Sequence, residues 1–282
     1  MTANLLRCLR RFLPLFVAAV TCGAMARYLL LHQEEWRSVT IERPVLLAAC
    51  CAATLAAILV PGPIFQLMTS RVGVVVGLGE STWLAVITSV INTFVPLQGG
   101  AAARALYLKK RHGLEVSRFA ATFLGYNILR LFAASSLACA AGLWLLWQPL
   151  LSGSATVGLQ WLVAISAAVA AATFGTCFIN PFWFRRLWEA GAGKKEVGQR
   201  SLGRVAWLRP VFTLHAGWLE LIRCPAFLLE VFALVVLQIM AEVVMVWAAW
   251  NSVGAMLSPV ASLLVASFGI LVGLTEIGRA HV

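Results

Sequence analysis

Long apolar runs almost free of charge constrain this chain more than any other feature. Phe12–Leu31, Pro44–Met68, Phe119–Trp147, Leu159–Ile179, Ala226–Trp250 and the stretch from Pro259 onward are the candidates. An α-helix needs ~20 apolar residues to cross a hydrocarbon core, and most of these runs reach that length. Within lipid no water can satisfy the backbone N–H and C=O groups, so runs of this length have to be helical. Across the 282 residues 61% are hydrophobic and 12% charged, against about half and about a quarter in soluble domains. The expectation is an all-α polytopic membrane protein: about six transmembrane helices plus a re-entrant helical hairpin, cut short at its C-terminus.

The formal charge of +11 would point to nucleic acid in a soluble chain. Here the excess lies mostly in loops between apolar runs, as positive-inside orientation predicts, so no nucleic-acid partner is implied. Three arginines (Arg7, Arg10, Arg11) precede the first run, and the loop after it holds Glu34, Glu35 and Glu42 against Arg37 and Arg43. That balance puts the N-terminus in the cytoplasm. The start resembles a signal peptide, but the run is of spanning length with no small-residue cleavage site, so it reads as a retained first helix. In the second run, Pro61 and Pro63 remove two backbone donors around Gly62 and are expected to kink or unwind it.

Residues 82–118 hold the most informative irregularity. Thr82–Pro96 offers only ~15 apolar residues, marginal for a crossing. Pro96, Gly99 and Gly100 then break the chain, and Arg104, Lys109, Lys110, Arg111, His112 and Arg118 follow. A full crossing would place these cations outside, against the charge rule. A hairpin that dips in and returns resolves both difficulties; the alternative is a further short span from Val72 to Leu84. A broken backbone at membrane depth is tolerated where protein or a water-filled cavity surrounds it. The segment then reads either as a helix end followed by a basic cytoplasmic loop, or as a re-entrant element lining a polar site. A second basic segment, Asn180–Pro225, carries eight Lys and Arg and falls on the same side. Within it Val211–Ile222, with Trp218, fits a helix lying in the interface.

The run Asn92-x-x-x-Pro96-x-Gln98-Gly99-Gly100, with Arg104 and the LYLKKRHGL of Leu106–Leu114, resembles the lysylphosphatidylglycerol synthase transmembrane region. This is the flippase-like domain also found at the N-terminus of multiple peptide resistance factors. The resemblance implies a multi-pass protein of the bacterial inner membrane, associated with lipid, hopanoid or envelope glycolipid pathways. Members often have Arg where Gln98 stands and Glu where Ala101 stands, and the segment Tyr126–Arg130 reads YNILR in place of an acidic-basic motif. Phe268–Thr275 (FGILVGLT) resembles the approach to a Gly-rich, Glu-containing motif. The last six residues, Ile277-Gly-Arg-Ala-His-Val282, translate a common sequencing adapter. Residues 1–276 therefore read as one incomplete flippase-like domain and 277–282 as an artefact.

Two intramembrane charges stand out. Arg130 and Glu242 sit inside apolar runs, where an ionised side chain costs ~2.5–3.5 kcal/mol on insertion scales unless paired or hydrated. They read as a structural ion pair or as a headgroup or proton site. Asn92 and Asn127 can bond a headgroup or a neighbouring helix, and Gln98 belongs to the broken segment. Arg104 is best placed for a phosphate, since an exposed half-helix N-terminus beside it would add its dipole. Lys109, Lys110 and Arg111 orient the chain and attract anionic lipid.

No catalytic set emerges. The four histidines lie in loops or at the tail, and the seven cysteines form no C-x-x-C pair and have no His at metal spacing. The glycines of GVVVGLG lack the G-K-[ST] of a phosphate-binding loop. The reading is a non-enzymatic protein without metal or cofactor. Its partners are membrane lipids, either anionic phospholipid or polyprenyl-linked lipid, which it binds or translocates. The alternative is an accessory or scaffold subunit of a lipid- or glycolipid-modifying complex, with a homo-oligomer or enzyme partner.

Overall fold

The computed structural model describes residues 40–94, 99–148, 154–178 and 224–279, with isolated helical positions between Gly23 and Glu34. Most of the first span, nearly all of Asn180–Pro225 including Val211–Ile222, Pro96, Gln98 and residues 280–282 lie outside this set. Among the described residues the chain is helical, without strands. The elements are α1 (Pro44–Leu59), α2 (Pro61–Arg71), α3 (Leu78–Phe94), α4 (Gly99–His112), α5 (Val116–Trp147), α6 (Ser154–Phe178), α7 (Pro225–Ser252) and α8 (Pro259–Arg279).

Pro44–Arg71, Val116–Trp147, Ala155–Gly175 and Pro225–Ser252 are long and apolar enough to cross a membrane, and Pro259–Leu271 is a shorter apolar helix. These follow the apolar runs to within a few residues. The expected kink or unwinding at Pro61–Pro63 takes the form of a helix boundary, α1 ending at Leu59 and α2 starting at Pro61, without loss of helical dihedrals at Val60. Val60 keeps right-handed helical dihedrals (φ −56°, ψ −34°), and its N–H still reaches Ala56 O at 2.9 Å. Pro61 starts α2 at the first turn, where a missing N–H costs nothing. Gly62 has a packing role: a Cβ there would lie 2.6 Å from the Thr82 Cα, so α2 and α3 touch backbone to backbone.

α7 is the centre of the bundle, packing on α1, α2, α5 and α8. Its Val231, Val235 and Ile239 are fully buried against Ile64 and Met68 of α2, Ala133 and Ala134 of α5, and Ile270 of α8. The small residues of α5 let neighbours approach closely, which is how helices associate when lipid supplies no hydrophobic drive. A Cβ on Gly142 would collide with Val163 of α6.

α3 and α4 form the hairpin. At 17 and 14 residues they extend ~25 and ~21 Å at 1.5 Å per residue, short of a ~30 Å hydrocarbon core. They run antiparallel. Near the turn the Gly100 N–H donates to Asn92 Oδ1 (2.9 Å), and a Cβ on Gly100 would strike the Thr88 carbonyl. At the open end Glu80, in the first turn of α3, meets Tyr107 and His112 near the end of α4. The chain therefore returns to the end it left. The alternative span Val72–Leu84 does not form, because residues 74–77 are non-helical after a turn with Gly73 at φ +84°. At the other join, Gly113 (φ +68°) turns the chain into α5, and buried Leu114 donates its N–H to Leu108 O.

Candidate functional site

The hairpin, α1, α2, α5 and α7 line a partly open cavity of about 360 Å³. Most of its wall is apolar, from Ala57, Ile58, Ile64, Phe65, Met68 and Met245. The polar groups converge from five helices: Thr54 on α1, Thr88, Ser89 and Asn92 on α3, Arg104 on α4, and Thr122, Tyr126, Asn127 and Arg130 on α5. Gln238 and Glu242 of α7 complete the set.

Arg130 and Glu242 pair. Arg130 Nη2 donates to Glu242 Oε1 at 2.6 Å, with the side chains 22% and 16% exposed. Gln238 Nε2 donates to the same oxygen (3.3 Å), and Tyr126 Oη donates to Gln238 Oε1 (2.8 Å). The spacing explains the arrangement: Gln238 and Glu242 are one turn apart on α7, as are Tyr126 and Arg130 on α5, so each helix offers two groups on one face. Tyr126 lies within electrostatic reach of both Arg130 and Arg104.

Among the described residues Arg104 has no acidic partner. Its guanidinium lies 3.4 Å from the Phe65 ring centroid, a cation–π contact. Phe65 is braced in turn by Phe119, their ring centroids 5.7 Å apart. Arg104 Nε and Nη2 are buried without a hydrogen-bond partner, and so is Arg130 Nε. Buried polar groups in native proteins are nearly always satisfied, so three unmatched N–H donors at one cavity are conspicuous.

Of the residues singled out from sequence, Arg104, Arg130, Glu242, Asn92 and Asn127 all line this cavity. Gly99 and Gly100 begin α4; Pro96 and Gln98 fall outside the described residues. Asn92 caps α4 through Gly100, so one amide of that N-terminus is already satisfied. Asn127 Nδ2 bonds Phe123 O in its own helix (2.8 Å). Lys109, Lys110 and Arg111 are exposed in the last turn of α4, where cations complement the helix dipole.

Sequence reasoning missed Phe65, Tyr126, Gln238 and Glu80 as parts of this region. Glu80 Oε1 receives Tyr107 Oη (2.8 Å) and approaches His112 Nε2 (2.9 Å) and Arg111 Nε (3.4 Å). The bond with His112 first, then that from Tyr107, holds its carboxyl below the usual carboxylate range. A signal was present: Glu80 is the only acid between Arg43 and Leu114. A second cavity of about 460 Å³ lies along the hairpin beside this cluster, and Arg104 and Thr88 line both.

A hairpin too short to cross, enclosed by spanning helices around a cationic, partly unsatisfied cavity, defines a polytopic membrane protein with an internal polar site. The chain matches the family described as the Lysylphosphatidylglycerol synthase TM region over residues 9–276, and it belongs to that family. Comparison with curated proteins and with solved structures finds no similar protein.

Proposed function

We propose that the protein binds the headgroup of an anionic lipid, or of a lipid-linked envelope precursor, in the cavity and passes it between leaflets. It does so as a translocase-like protein, not an enzyme. The observation that carries this is Arg104, a cation held against Phe65 with two buried donor nitrogens and, among the described residues, no acid opposite. A phosphate supplies what those donors lack, in a charge-assisted geometry that guanidinium favours. Acyl chains can stay in lipid while the headgroup occupies the polar interior.

The reading places the protein in a bacterial inner membrane with its N-terminus in the cytoplasm. Arg71, Lys109, Lys110, Arg111 and Arg118 gather where α2 and α4 end and α5 begins. Arg71 reaches Cys224 at the start of α7, and Arg118 reaches the Val72 carbonyl. By the positive-inside rule this end faces the cytoplasm.

The test is transport in proteoliposomes carrying fluorescent phosphatidylglycerol, with dithionite added outside. Wild type is expected to expose the inner-leaflet pool to bleaching, and a monodisperse R104Q variant to leave it protected. Bleaching no faster than in protein-free vesicles sinks the proposal.

A further inference from the structure

We infer that the second cavity, a groove along the hairpin, seats the apolar chain of the ligand whose phosphate reaches Arg104, so that one amphiphile occupies both spaces. This rests on the headgroup-site reading above and adds where the ligand's chain lies.

The groove, of about 460 Å³, runs between one face of α3 and one face of α4. Trp83, Leu84 and Ile87 line it from α3, and Gly100 and Ala103 from α4, at the three- and four-residue steps that keep to one side of a helix. Gly100 and Ala103 leave room that longer side chains would fill. Trp83 is 65% exposed and Ala103 is exposed, so the groove opens at the surface of the hairpin.

Its polar groups gather at one end and engage one another. Tyr107 Oη donates to Glu80 Oε1 (2.8 Å), and Arg111 Nε approaches the same oxygen (3.4 Å). Among the described residues, the buried donors without a partner that border the groove belong to Arg104. Arg104 and Thr88 line both cavities, so the two spaces adjoin at that pair. An occupant of the groove thus meets an apolar wall and one unmatched cation at the boundary with the central cavity.

Lipid is as apolar as this wall, so a chain gains little by leaving the bilayer for the groove. What the groove supplies is a route. A chain joined to a phosphate at Arg104 keeps apolar contact there, whereas in the central cavity it would press against the Tyr126, Gln238 and Glu242 network and deprive polar groups of solvent. The phosphate supplies the affinity and the groove sets the direction in which the chain leaves. The ligand class is a phosphate ester with its apolar chain attached close to the phosphate, a glycerophospholipid or a polyprenyl phosphate.

The experiment photolabels the purified full chain in phosphatidylcholine nanodiscs. The probes are phosphatidylglycerol, a polyprenyl phosphate and diacylglycerol, each with a diazirine in its apolar chain, and peptide mass spectrometry maps the adducts. A phosphate-bearing probe is expected to label residues 83–87 or 100–107 several-fold more than diacylglycerol does, and R104Q to bring that labelling down to the diacylglycerol level. Ala103→Phe fills the groove from an exposed position and is expected to lower the same adducts with unchanged melting temperature; should it fail to fold, the comparison with diacylglycerol on wild type decides. Labelling by phosphatidylglycerol supports the seat for a glycerophospholipid, and labelling by the polyprenyl phosphate alone supports it for an isoprenoid. Equal labelling by diacylglycerol marks the groove as plain lipid-facing surface and overturns the inference. Adducts that depend on Arg104 but fall outside the hairpin also overturn it, while leaving the headgroup site standing. Absence of any Arg104-dependent adduct overturns both this inference and the reading beneath it.

Discussion

Breaking the Arg130–Glu242 pair is the perturbation whose size follows most directly from the structure. At 2.6 Å, with both side chains largely shielded, the attraction is about 6 kcal/mol at an effective dielectric of ~20. Desolvation of the two ions offsets most of that, so the pair itself contributes little against an apolar replacement. The single variants behave differently. Glu242→Met removes the carboxylate and leaves Arg130 charged and unpaired, a change that costs about 3–5 kcal/mol in buried pairs. Arg130→Met strands the carboxylate and is expected to cost a similar amount. The double variant R130M/E242M removes both charges and is expected to fall within about 1 kcal/mol of wild type. The double-mutant cycle then gives a coupling of about 5–9 kcal/mol, the two single costs less that of the double variant. Reversible unfolding in mixed micelles with increasing SDS, followed by tryptophan fluorescence, measures all four proteins. The double variant is also expected to lose lipid binding, separating stability from function. Single variants costing less than about 1 kcal/mol, or a double variant no more stable than the sum of its parts, refute the reasoning.

The glycine seams make a second prediction. Gly62→Ala places a Cβ 2.6 Å from the Thr82 Cα, a backbone contact that cannot rotate away, and should cost about 1–3 kcal/mol in the same titration; a neutral result would mean α2 and α3 can separate freely. Phe65→Leu removes the ring beneath Arg104 and is expected to weaken phosphatidylglycerol binding several-fold, since a desolvated cation–π contact contributes ~2 kcal/mol; unaltered binding by fluorescence titration would remove Phe65 from the site. Glu80 makes a pH-dependent contribution. Its carboxyl is held below its ordinary value of 4.5, mainly by the bond with His112, so the stabilisation is present above that value and lost as pH falls through the lower folded one. The melting-temperature gap between wild type and Glu80→Gln should thus stay constant at neutral and mildly acidic pH and close in strong acid; a gap that persists there argues against the assignment. Cys224 accepts from the α7 amides, foremost that of Phe227, and its thiol is held below the usual range; maleimide should label it at lower pH than a small free thiol in the same buffer, as thiolate character controls reactivity.

Hydropathy located the spanning helices because lipid imposes one rule on every residue: backbone groups must be satisfied within the segment. The hairpin was legible by a related constraint. Thr82–Pro96 is too short to cross, and the cations after Gly100 would otherwise stand on the wrong side. The pairing of Arg130 with Glu242 was left open, because depth along two separate helices does not determine whether two side chains face each other. Tyr126 and Gln238 were obscure for the same reason, as their bond joins residues 112 positions apart. The proline pair was legible as an interruption: α1 ends at Leu59 and α2 starts at Pro61, where a proline fits. Nothing in the sequence separates Phe65 from a core aromatic, because only the fold brings the Arg104 guanidinium over its ring.

Arg104 separates a cavity built for packing from one built for a ligand. Confining a guanidinium away from water with no carboxylate carries an effective penalty of several kcal/mol. The Phe65 face returns ~2 kcal/mol when desolvated, and the snorkelling available to long cations near an interface is denied to nitrogens that are buried. The shortfall is held by the surrounding structure: the Asn92 cap, the contact of Gly100 on Thr88, and the Glu80 cluster at the hairpin's open end fix α4 at both ends. A role in packing alone would be met better by Leu or Met of similar length, which carry no such penalty. An anion bound at these donors gives them partners that no described protein group supplies, so the cost built into folding reappears as affinity. A rigidly held, undersatisfied cation is therefore what a phosphate site requires before its ligand arrives, and packing alone gives no reason for it.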